Sequence, residues 1–136
     1  MKNLTIIIFS IILLTSTNLY SQNSEDPVAK FLFEPELIMK NMKKIGVTKK
    51  QSQDIRQEVQ AAQNKIMDLE WDVNAEMENV YELLSNSRID ESKALALIEK
   101  MMRFEREMQT AKLLMLVRVK NLLTVEQQEQ LQKLKQ

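Results

Sequence analysis

The sequence predicts an all-α protomer of four helices, a long antiparallel helical hairpin with a short helix at each end. Three observations carry that expectation. The 136 residues are 44% hydrophobic and 28% charged with one Gly and two Pro, a composition that supplies few sheet turns and suits long helices in one domain. From Ile55 through Val59, Ala62, Ile66, Leu69, Val73, Met77 and Val80 to Leu84, apolar residues recur over 29 residues in eight steps, 3.6 per step, the period of a nearly straight α-helix. Turn formers in "SNSRID" at 85–90 then separate this run from a second of similar length, and two long helices joined by a short turn pack antiparallel.

Taken in chain order, "MKNLTIIIFSIILLTSTNLYSQ" has Lys2, an apolar run from Leu4 to Leu14 and a small polar segment, the layout of a secretory signal peptide over residues 1–21. Cleavage is placed after Ser21, although Leu19 stands where a smaller residue is usual; a retained N-terminal anchor and a buried strand are the alternatives. The run is shorter than the roughly 20 residues that cross a bilayer, so no stable membrane span is expected after processing. The chain has no Cys, which removes both the usual lipid attachment and disulfides. Periplasmic or secreted localisation follows, with a mature chain held together by packing alone. A chain of that size with elongated helices is more secure when a second copy covers its apolar side, and a homodimer is expected.

Residues 22–35, "QNSEDPVAKFLFEP", are expected to form a flexible segment, and residues 36–136 one helical domain. Pro35 suits the first turn of a short helix with Ile38, Met42 and Ile45 on one face. Gly46, the sole glycine, suits a left-handed C-terminal cap. A helix over about 49–85 is roughly 55 Å long at 1.5 Å per residue. Asp90 is the expected N-cap of the third helix, whose apolar side comprises Ala94, Leu97, Met101, Phe104, Met108, Ala111, Met115, Val119 and Leu122. The last helix, "VEQQEQLQKLKQ", docks through Leu131 and Leu134 and frays at its end.

Thr48 with Gln51, and Thr124 with Gln127, each fit a capping box, in which the Thr hydroxyl accepts from the backbone three residues on and the Gln side chain returns to the Thr N–H. Val47 and Leu123, the aliphatic residues before them, are placed to tuck into the bend. An exported all-helical chain with "GVTKKQ" early and "LLTVEQQ" late resembles the LTxxQ-motif periplasmic family. That group includes the Spy/CpxP-like envelope-stress chaperones and related heavy-metal-resistance proteins and metal sensors. Leu123, Thr124, Val125, Glu126 and Gln127 match the pattern in full, and Val47, Thr48, Lys49, Lys50 and Gln51 match with Val in the leucine position. The resemblance implies a flat or curved four-helix protomer, commonly an antiparallel dimer. Its chaperone branch implies ATP-independent holding of partly unfolded envelope proteins; its other branch implies binding or sensing of divalent metals.

The residues themselves narrow the chemistry. Without His or Cys, zinc, nickel and copper(II) lose their best ligands, and no metal site or cofactor is expected. Nine methionines raise copper(I) or silver(I), but Met is also an adaptable packing residue. Asp68 with Asp72 and Glu78 with Glu82 share helix faces, and read as a solvated surface rather than a cation cage. Basic and acidic residues number 19 each, which removes the electrostatic argument for nucleic acid. With no nucleophile partner, phosphate loop or acid–base cluster, an enzyme is not expected.

The residues assigned to client or partner contact are Phe31, Leu32, Phe33, Met39, Met67, Trp71 and Met102, with Lys43, Lys44, Arg103 and Arg106 as a positive rim. For Trp71 and the Phe31–Phe33 cluster, packing within the protomer or dimer competes with an exposed contact surface. The leading expectation is an exported holding chaperone or stress adaptor; the alternative is a non-enzymatic heavy-metal-resistance or sensory accessory protein that uses Met and carboxylate ligands or has lost metal binding.

Overall fold

The computed structural model describes residues 30–135, and the expected signal peptide, its cleavage point and residues 22–29 lie outside them. The chain divides into units 1–31 and 32–136. Four helices make up the second: α1 (Pro35–Asn41), α2 (Lys49–Ser85), α3 (Glu91–Asn121) and α4 (Val125–Leu134). No strand occurs among the described residues. The second unit begins at Leu32; Phe33 is buried ahead of α1 and Pro35 is buried at its first residue.

Pro35 opens α1, where its missing N–H costs nothing. The helix ends at Asn41, and a turn over 42–46 follows. Gly46 has φ 67°, and the Val47 N–H donates to the Met42 carbonyl at 2.9 Å, the six-to-one bond of a Schellman cap. Ile38 and Ile45 are buried as expected, while Met42 is only half-covered.

The capped starts hold. Thr48 caps α2 and Thr124 caps α4, each with both bonds of the capping box. The Asp90 side chain accepts from the Ser92 and Lys93 N–H groups at the start of α3. Asn86 closes α2 by donating to the Glu82 and Leu83 carbonyls.

Helices α2 and α3 pack on each other. Glu58 pairs with Arg118, Lys65 with Glu107 and Glu76 with Lys100, so residue number rises along α2 as it falls along α3. Ile55, Ala62 and Leu69 of α2 and Phe104 and Val119 of α3 are buried on the facing sides. Leu84 departs from the expected stripe and is 49% exposed. The register set by Glu76 and Lys100 puts it level with Ser92, at the polar start of α3.

The densest packing lies at one end. Phe33, Ile38, Ile45, Ile55, Val119, Leu123 and Leu131 form one core, with Leu37, Val47 and Leu134 against it. Leu131 is fully buried, which contributes about 2 kcal/mol to docking α4. No helix among the described residues is long and apolar enough to cross a membrane.

Candidate functional site

The two motifs meet in space. The Gln51 Nε2 donates to the Gln127 Oε1 at 2.8 Å and to the Leu122 carbonyl at 2.8 Å. In return, the Gln127 Nε2 donates to the Gln51 Oε1 at 3.1 Å and to the Gly46 carbonyl at 3.1 Å. Each Oε1 also accepts from its own Thr N–H, at 3.0 Å for Thr48 and 2.9 Å for Thr124. Both amides therefore use two donors and two acceptors, their full complement. The result is a near-symmetric clasp joining the bend before α2 to the bend before α4, across 76 residues of sequence.

Leu123 is buried in the adjoining core and Val47 is packed against it, as the wedge reading expects. Gln127 is buried and Gln51 half-buried, while Thr48 and Thr124 are exposed. The capping box foretold each Gln's local bonds but not the partnership between them. Among the described residues no buried side-chain nitrogen or oxygen lacks a hydrogen-bond partner. The clasp offers no free ligand atoms, so its chemistry is structural.

The residues assigned to client contact are spread over the molecule. Phe33 departs from that assignment: it is 2% exposed, beneath the ammonium groups of Lys135 at 5.0 Å and Lys120 at 6.0 Å from its ring centroid. Leu32 is half-buried, and its carbonyl accepts from Lys135. Burial holds the Lys135 ammonium below its usual pKa, partly offset by Glu34 and reinforced by Lys120. Phe31 is exposed.

Met39, Met67, Trp71 and Met102 are all exposed, Trp71 by 69%. Lys43 and Lys44 are exposed at the first bend, but Arg103 and Arg106 do not extend their rim. Arg106 adjoins Glu107, which pairs with Lys65, and Lys65 lies 15 residues along α2 from Lys50, about 22 Å. Arg103 instead lies 6.0 Å over the Phe104 ring.

Grooves also open on the surface of the described helices. One, of 370 Å³, runs between α2 and α3, where Ala61, Ala62, Thr110 and Ala111 are too small to fill the space. The Glu58–Arg118 and Lys65–Glu107 pairs border it. Another, also 370 Å³, lies between α1 and α2 and is lined by Ile38, Met39, Met42, Ile55 and Val59.

Away from the core end, large apolar side chains face outward: Leu95, Ile98 and Met102 on α3, and Met67, Trp71 and Tyr81 on α2. Among the described residues only α2 and α3 are present in this part to cover one another. Sequence periodicity selects the strongest face and so missed Leu95 and Ile98, the neighbours of Met102 in this α3 row. The run "LLMLV" at 113–117 was the signal that α3 is apolar on more than one side, and its Leu116 is buried off the main stripe. Among the described residues no three Asp or Glu side chains converge as a cation site requires.

Comparisons with protein-family models, with curated proteins and with solved structures gave no match. The family resemblance therefore rests on the residues of the two motifs.

Proposed function

We propose that the protein is an exported, ATP-independent holding chaperone or envelope-stress adaptor of the LTxxQ-motif, Spy/CpxP-like kind. It binds partly unfolded envelope proteins in the periplasm or outside the cell, and it performs no catalysis. The observation that carries this reading is the row of exposed large apolar residues on α2 and α3, interleaved with charge and remote from the clasped core. Patches of that kind mark interaction surfaces, and methionine within them adapts to varied partners.

In this reading α2 and α3 form a rigid antiparallel hairpin, the clasp holds its base, and the two-helix arm presents the contact surface. Two copies associate antiparallel through the outer row of α3, since a two-helix layer leaves an apolar face that a partner must cover. The test is aggregation of several unrelated unfolded proteins, followed by light scattering with micromolar protein and no nucleotide. The proposal expects scattering to slow for most of them; scattering unchanged for all overturns it.

A second reading rests on Met39 and Met42, two thioethers lining one groove, which suit a soft cation and the metal-resistance branch of the resemblance. Calorimetry with copper(I) and silver(I) decides it, and heat no greater than a buffer blank for either ion removes it.

A further inference from the structure

The second half of α2 combines charge with apolar side chains that stay exposed. Residues 67–85 contain six carboxylates and no Lys or Arg, and of the six only Glu76 is ion-paired, with Lys100. At 3.6 residues per turn, Met67, Trp71, Glu78, Tyr81 and Glu82 fall within an arc of about 100°, on the side turned away from Leu69 and Val73. All five are exposed. The first half of α2 has nothing comparable: its outward residues include Gln53, Gln57, Gln60 and Gln63, with no large apolar side chain exposed.

We infer that residues 67–82 of α2 form a docking face for a cationic apolar segment, a stretch of polypeptide that sets Lys or Arg beside large apolar side chains. The charge around the face selects this occupant. Covering Trp71 and Met67 with a neutral apolar segment strips water from Asp68, Glu78 and Glu82 without replacing it. Lys or Arg supplies the missing partners, lays its aliphatic stem on the apolar surface and brings its cation over the indole. A second copy meeting this face with its own sets carboxylate against carboxylate, which opposes association. The inference rests on the holding reading for its biological partner and gives the clients of that reading a chemistry.

Trp71 is the only tryptophan in the chain, so its emission reports on this face alone. The experiment titrates purified protein with a synthetic Lys/Leu peptide that lacks Trp and Tyr, and with its counterpart in which every Lys is Glu. The expected result is a saturable blue shift with the Lys peptide only, weakening as salt is raised. Combining Asp68→Asn, Glu78→Gln and Glu82→Gln weakens binding about tenfold while far-UV circular dichroism is unchanged. Equal binding of the Glu peptide, or a wild-type affinity indifferent to salt, overturns the inference. So does emission that shifts blue with protein concentration before peptide is added, which marks a second copy on the face. Aggregation assays separate the two proposals: clients slowed without regard to their charge, with no peptide preference, sink the docking face and leave holding intact. Selective binding of the Lys peptide by a protein that slows no aggregation supports the face and sinks holding.

Discussion

Replacing Gln127 with Ala removes four side-chain hydrogen bonds at once: those with the Thr124 N–H, the Gly46 carbonyl and both polar atoms of the Gln51 amide. At about 0.5–1.5 kcal/mol net for each bond, and with water able to reach part of the half-buried site, the loss is about 3 kcal/mol. For a domain of this size that lowers Tm by about 12–24 °C. Gln51→Ala also removes four bonds, with the Thr48 N–H, the Leu122 carbonyl and Gln127, and costs a similar amount. The two bonds between the amides are lost in either variant, so the double variant is less destabilised than the sum of the singles by about 1.5 kcal/mol. Thermal or urea unfolding of the four proteins measures this coupling. Singles whose effects add to within about 0.5 kcal/mol refute the clasp as a cooperative unit.

Thr124→Ala loses only the cap on α4 and costs about 1 kcal/mol; an unchanged melting temperature removes that cap from the account. Gly46→Ala meets no neighbour within 4 Å, so its cost is the left-handed backbone alone, about 1 kcal/mol by urea unfolding. The Lys100 ammonium and the Asn79 amide hold the Glu76 carboxyl below its ordinary value of 4.5. With the folded pKa depressed, this stabilisation is present above that ordinary value and is lost as pH falls through the folded one. Glu76→Gln therefore narrows the stability difference between neutral and acid pH, and an identical pH profile contradicts the pairing.

The helices were legible because their signals are local. The 3.6-residue step defined α2, Gly46 marked a position that needs positive φ, and Thr, Asp and Gln marked the caps. What escaped depends on partners distant in sequence. A capping box says that Gln127 serves its own helix start, and nothing in it says that Gln51 lies opposite, because that depends on the register of α2 against α3. Leu84 kept the period and lost its burial for the same reason. Phe33 resembled its exposed neighbour Phe31, and only the position of α4, with Lys135 reaching the Leu32 carbonyl, sets them apart. The exposure of Trp71 was left open by the sequence, since periodicity says which residues avoid the core stripe and is silent on whether another surface covers them.

The holding role is tested most directly by comparing the native protein with a variant that carries Ser at positions 67 and 71 in place of Met67 and Trp71. Both side chains are exposed on α2, away from the α3 row proposed to join two copies, so the variant is expected to keep its melting temperature. Light scattering of an aggregating unfolded protein is then followed with each at equal concentration. The account predicts that the native protein slows aggregation and that the variant loses most of that effect. A variant that holds as well as the native protein, or a native protein that holds nothing, contradicts it.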